Sequence, residues 1–243
     1  MSIDLPTPAR ALAVGAHPDD VEFGCGGTLA KWAADGCEIA HLVCTDGSKG
    51  SWDASDDAAT LVASRQVEQR AASVALGGRG EVVFLGWRDG ELESGLRQRA
   101  EVCYWIRRLR PDVVLGHDPW KRYRLHPDHR HAGLLVTEGI VAARDPHFFP
   151  EQSVGPHRPS HLLLWEADAP DHIEDITASL DAKLAALLEH RSQFRSTMDI
   201  DDPSSAEQVD RFRDKIRRRA AVAAAVTDGA AAYGERFKLL SDL

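Results

Sequence analysis

Short apolar runs closed by polar or glycine-rich turns alternate with longer segments of helical periodicity along this chain, and that alternation leaves few architectures open. The run Ala11-Leu12-Ala13-Val14 leads into a helix-like segment at about 20–34, which Asp35-Gly36 ends with a residue suited to a left-handed cap. Ile39-Ala40-His41-Leu42-Val43-Cys44-Thr45 follows, rich in strand formers, and opens into the loop Asp46-Gly47-Ser48-Lys49-Gly50. A helix is expected over 58–76, a strand over 82–85, a helix over 96–109 that stops before Arg110-Pro111, and a strand over 113–115. A helix from about 128 to 142 comes next. Beyond a proline-studded loop lie strand-like pieces at 162–165 and 172–176, helices at about 179–190 and 211–225, and a closing strand at 237–240. The pattern predicts an α/β fold, Rossmann-like, with a mostly parallel sheet flanked by helices. No linker-like stretch divides the 243 residues, so one domain is expected over 1–243, with 145–243 as a C-terminal extension of it.

In an open α/β sheet, ligands bind outside the carboxyl ends of the strands. Four expected strand ends supply His17/Asp19/Asp20, Asp46, Asp89 and His117/Asp118. The first is the most telling, because Ala16-His17-Pro18-Asp19-Asp20 is a poor way to fill a core. If Pro18 opens the first helical turn, His17 and Asp20, three apart, can point at one spot while Asp19 faces another. That arrangement suits a divalent cation, and His126-Pro127-Asp128-His129 offers further ligands downstream. Two imidazoles and a carboxylate are a common set for catalytic zinc, with a position left for water. The supply is His17, Asp20 and one of His126 and His129 as ligands, Asp19 as base, the other histidine as acid, and Asp128 to orient an imidazole. Spacing alone does not assign the two downstream histidines. His117, His131, His147 and His190 read as surface or hydrogen-bonded side chains, and Arg65 and Glu68 as an i,i+3 pair.

Composition narrows the partners. With 29 Lys plus Arg against 38 Asp plus Glu, the net charge of -9 gives no general attraction to nucleic acid or to an anionic membrane. No apolar run approaches a membrane span, the first residues do not resemble a secretion signal, and a cytoplasmic location is expected. Cysteines at 25, 37, 44 and 103 form no CxxC pair and read as reduced core thiols. A dinucleotide site after Gly24-x-Gly26 is disfavoured, because Leu29 replaces the third glycine and two aspartates would face the pyrophosphate. Metal-dependent phosphoester cleavage usually needs two metals, whereas one His₂Asp set with a free base fits amide hydrolysis.

The same residues carry a resemblance. The stretch 16–20 with Gly26-Gly27-Thr28, together with 126–129, resembles the two signature motifs of the PIG-L/LmbE-like zinc-dependent N-deacetylases, and Arg65-x-x-Glu68, Leu85-Gly86 and Asp89-Gly90 fit between them. The resemblance implies zinc, with iron(II) or cobalt as other occupants, on His17, Asp20 and His129. It also implies Asp19 as general base and His126, oriented by Asp128, as the acid that stabilises the tetrahedral intermediate. Arg65 and Asp89 match substrate contacts. Arg124, counted with them, stands where some mycothiol-pathway members carry a tyrosine, which leaves tyrosine assistance open. The implied reaction is removal of an N-acetyl group from an amino sugar or GlcNAc-containing conjugate. Two alternatives are kept: a single-metal amidase for another amide, such as a thiol S-conjugate, and a non-catalytic metal- or carbohydrate-binding protein. The oligomeric state, homo-oligomer included, is left open.

Overall fold

The computed structural model describes residues 1–243. The chain runs β1 (Ser2–Ile3), β2 (Arg10–Gly15), α1 (Asp20–Ala34), β3 (Glu38–Thr45), α2 (Ala58–Ala75), β4 (Val82–Trp87), α3 (Leu96–Leu109) and β5 (Val113–His117). It continues through α4 (Pro127–Arg144), β6 (His161–Trp165), β7 (His172–Asp175), α5 (Leu180–Leu187), α6 (Phe194–Thr197), α7 (Ala206–Ala224) and β8 (Gly234–Ser241). All eight strands share one sheet in the order β1-β7-β8-β6-β5-β2-β3-β4.

β2 shows why the layers form. Its side chains alternate, so Leu12 and Val14 pack with Val102 and Ile106 of α3 and with Leu135 and Val136 of α4. Ala11 and Ala13 face the other way, against Leu29 and Trp32 of α1 and Ala72 of α2. Both faces are therefore covered, and the strands read as nearly continuous apolar runs, as parallel strands do. A third cluster joins α5, α6 and α7 through Leu184, Phe194, Phe212 and Ile216. The four cysteines are buried and unpaired.

From β2 the parallel connections run outward to β3 and β4 on one side and, beginning with β5, to β6 on the other. The strand order thus reverses between β2 and β5, which is where such sheets open a crevice. His17 follows β2 and His117 ends β5, so two of the expected strand ends meet at this switch point. β8 departs from the parallel pattern, lying antiparallel between β6 and β7. The sheet is therefore mixed at one end. No helix is long and apolar enough to cross a membrane.

Candidate metal centre and cavity

The turn from β2 into α1 sets the site. Asp19 caps the helix with φ 99° and ψ -26°, a conformation that costs a non-glycine residue about 1–3 kcal/mol. It separates two neighbouring carboxylates, so that Asp20 turns to the histidines while Asp19 stands apart near Arg65, 3.6 Å from Nη2. Three imidazole nitrogens surround Asp20: His17 Nδ1, His117 Nε2 and His129 Nε2, each 3.3 Å from a carboxylate oxygen. Charge-assisted hydrogen bonds run shorter, about 2.7–2.9 Å. Ligands roughly 2.0–2.1 Å from a tetrahedral zinc lie about 3.3 Å from one another, so this donor set fits a small divalent cation. His17, His126 and His129 converge similarly, with donor atoms within 4.8 Å of one another, as do Asp20, His117 and His129.

Fixed donors set the tautomers of two of these imidazoles. The indole of Trp165 donates to His117 Nδ1 at 3.0 Å, and an indole can only donate. The His117 proton therefore sits on Nε2 and faces Asp20, so in this arrangement His117 supports Asp20. The Ala16 amide also approaches Nε2, at 3.4 Å, and is the weaker contact. Trp165 is wedged in place, since a Cβ on Gly24 would lie 2.6 Å from its ring. His129 is held less firmly. Arg124 Nη1 donates to its Nδ1 at 3.0 Å, so ligation through Nε2 requires a change of tautomer and withdrawal of Arg124 towards Glu166, its other partner at 2.5 Å.

The remaining expected residues gather here in varying roles. Asp89 and Asp128 both approach His17 Nε2, at 3.2 and 3.1 Å. Asp128 is fully buried and also accepts from the Gly90 and Leu92 amides, so its hydrogen bonds orient His17, where the resemblance gave it His126. This follows from its place in the first turn of α4, directed at the loop after β4. The His126 ring lies 4.5 Å from that of His17 and 5.0 Å from that of His129, centroid to centroid. Arg65 forms no ion pair with Glu68; its Nη atoms donate to the Gly47 and Pro18 carbonyls, while Glu68 accepts from Ser192. Arg124 is buried against His129 and Glu166 rather than lining the cavity.

Electrostatics follow from burial and pairing. Burial would lift the Asp20 carboxyl, yet His129 and His117 hold it well below the usual range. Burial pushes Asp19 up to about 6, with Arg65 opposing. His126 is held below its ordinary value by burial and by the nearby His17 and His129.

Above these residues opens a cavity of about 500 Å³. His17, Asp19, Asp20 and His129 lie at one end, and Phe212, Lys215, Ile216 and Arg219 of α7 form another wall. Residues 12–140 match the family described as PIG-L: GlcNAc-PI de-N-acetylase. The chain belongs to the PIG-L family. Among similar members, a diacetylchitobiose deacetylase of Thermococcus kodakarensis is 35% identical over 188 residues, 76% of this chain and 70% of the relative. A 1D-myo-inositol 2-acetamido-2-deoxy-alpha-D-glucopyranoside deacetylase of Actinosynnema mirum is 34% identical over 164 residues, and the chain spans 57% of its length. The solved structure of N,N'-diacetylchitobiose deacetylase from Pyrococcus horikoshii superposes with a TM-score of 0.85 at 29% identity, over 96% of this chain and 84% of that one. In this PIG-L chain the matched stretch carries the histidine and aspartate cluster, whereas the α7 wall lies outside it.

Sequence reading placed no role on His117, Gln69, Glu22, His190 or α7. His117 carried the one available signal, a histidine at a strand end. The others depend on long-range packing: Gln69 meets Glu22 across two helices, and α7 reads locally as a packed amphipathic helix with a basic outer face.

Proposed function

We propose that the protein is a metal-dependent N-deacetylase that hydrolyses the acetamide of a GlcNAc-containing sugar, releasing acetate and a free amine. The observation that carries this reading is that His17 and His129 each stand 3.3 Å from Asp20, with Asp19 beside them and turned away, on a cavity wall in a PIG-L family chain. His17, Asp20 and His129 would hold the cation, with zinc favoured by the nitrogen-rich set and iron(II) or cobalt able to use it. When bound, such an ion polarises the amide carbonyl and lowers the pKa of water.

The chain's own groups supply the rest. With its pKa near 6, Asp19 is mostly ionised at pH 7 and can accept a proton from the attacking water. The oxygen of that water bonds to the acetyl carbon, and the C–N bond then breaks. The proton held by Asp19 passes to the leaving nitrogen. His126, kept neutral, offers a ring N–H to the developing oxyanion. Asp89 and Asp128 fix the His17 ring through Nε2. The α7 wall, with Phe212 and Ile216 apolar and Lys215 and Arg219 cationic, contacts the remainder of the substrate.

The test is acetate release from N-acetylglucosamine, N,N'-diacetylchitobiose and a GlcNAc-inositol glycoside, with metal analysis of the same preparation. Turnover that is lost on chelation and restored by a stoichiometric divalent cation is expected. Cation binding without acetate release from any of the three would overturn the reading in favour of a binding protein.

A further inference from the structure

The Pro18–Asp19 peptide is gripped at both of its polar atoms by one turn of α2. Its carbonyl accepts from Arg65 Nη2 at 2.6 Å, and its N–H donates to Gln69 Oε1 at 3.0 Å. Arg65 and Gln69 are four residues apart, hence on the same helix face. Because an amide N–H can only donate, Gln69 must present its oxygen to Asp19 and its nitrogen to whatever lies behind. Behind it is Glu22, whose Oε1 accepts from Gln69 Nε2 at 2.7 Å. Glu22 Oε2 in turn faces His190 Nε2 at 3.2 Å. Gln69, Glu22 and His190 are all 0% exposed. The chain of donors has a single consistent direction, from His190 and Gln69 to Glu22 and from Asp19 to Gln69.

The residue at the end of this chain is the one with the left-handed backbone, φ 99°. A non-glycine residue relaxes to negative φ unless its neighbours prevent it, and rotation of the preceding peptide plane is the motion that the Arg65 and Gln69 contacts block. That plane also decides where the Asp19 side chain points relative to Asp20. We propose that Gln69, backed by Glu22 and His190, is a positioning network for Asp19. It holds the carboxylate out of the metal cluster and in the cavity. The inference rests on the deacetylase reading for its kinetic consequence, though not for its structural one.

The experiment uses the metal-loaded enzyme. Gln69→Met keeps the volume and removes the acceptor; kcat is expected to fall at least tenfold, with KM and bound metal within twofold of wild type. Gln69→Glu alone sets two carboxylates against each other. Adding Glu22→Gln reverses donor and acceptor together, so that Asp19 N–H again meets an oxygen and His190 again meets an oxygen. The double variant is expected to recover kcat to within threefold of wild type. A kcat for Gln69→Met within twofold of wild type, a parallel loss of kcat and bound metal, or no recovery in the double variant would overturn the proposal. A crystal structure of Gln69→Met gives a readout independent of turnover: Asp19 should leave the left-handed region, and its retention there would also overturn the network. Should the wild type release no acetate, the deacetylase reading falls, while the Asp19 backbone in Gln69→Met still decides this inference.

Discussion

Two buried carboxylates, one opening α1 and one reaching it from β8, are held in opposite ways. Glu235 has every lone pair occupied: Oε1 accepts from the Gly27 amide at 2.9 Å and Lys183 Nζ at 2.6 Å, and Oε2 accepts from the Thr28 amide at 2.8 Å and its hydroxyl at 2.6 Å. Asp20 has one such bond, from the His17 amide at 2.7 Å, and otherwise three imidazoles standing off at 3.3 Å. Asp20 is 9% and Glu235 6% exposed, so burial does not distinguish them. Completeness does. A carboxylate that serves the fold is saturated by fixed donors, whereas Asp20 keeps acceptor capacity that only the longer imidazole contacts approach.

The largest effect that could break this contrast lies with the carboxylate next to Asp20. Asp19→Asn is expected to lower kcat by about 10²–10⁴ while the metal content stays at the wild-type level, measured by acetate release and metal analysis on one preparation. Equal turnover in variant and wild type would remove the base from the scheme.

Stability separates the pair directly. Glu235→Gln should destabilise the protein by about 3–5 kcal/mol in urea unfolding, because Lys183 stays buried without its counter-charge and a new donor meets the Thr28 amide. Asp20→Asn in metal-free protein should cost less than Glu235→Gln, about 1–3 kcal/mol, since the His17 amide keeps an acceptor while the attraction of His129 and His117 for the carboxylate is lost. Metal binding should be lost. Equal destabilisation by the two changes would mean that the 3.3 Å contacts hold the fold as firmly as the Glu235 bonds do.

The two imidazole supports give a smaller effect of opposite sign. Trp165→Phe frees the His117 tautomer and is expected to weaken metal affinity about tenfold, whereas Arg124→Met removes the donor that competes for His129 Nδ1 and should strengthen it by a similar factor. Competition with a chromogenic chelator reads both.

The smallest expected effect concerns acid stability. His41 is buried, neither ring nitrogen has a hydrogen-bond partner, and burial holds its pKa below the ordinary 6.5. The unfolded chain therefore takes up a proton that the folded protein refuses, and stability falls as pH drops below about 6.5. His41→Phe should flatten the decline in Tm between pH 7 and pH 5. An unchanged slope would assign it to other groups.

Much of the architecture is legible locally because strand and helix periods differ. The helix at 96–109 and the start of the helix at 20 coincide with α3 and α1, whose ends are marked by Pro111 and Gly36. β1 and α6 escape notice, having two and four residues and no period to display. α7 begins at Ala206 rather than near 211, because its first turn, with Glu207 and Gln208, is polar. The antiparallel placement of β8 depends on which strands it pairs with, information that residues 237–240 do not carry alone. At the site, residue types were legible and partnerships were not. Asp128 next to two histidines in sequence gives no sign that its hydrogen bonds reach back to His17, 111 residues away. Arg65 and Glu68 look like each other's partners until the Pro18 carbonyl and Ser192 arrive from elsewhere.

The position of β8 has a consequence for how the molecule comes into being. Residues 234–241 pair with both β6 and β7, so β7, and β1 beyond it, cannot join the sheet until the ribosome has passed that point. Glu235 on this strand also pins Gly27 and Thr28 of the helix that begins with Asp20. The turn that carries His17, Asp19 and Asp20 is thus translated early, while the Glu235 tether on its helix arrives only with the last strand.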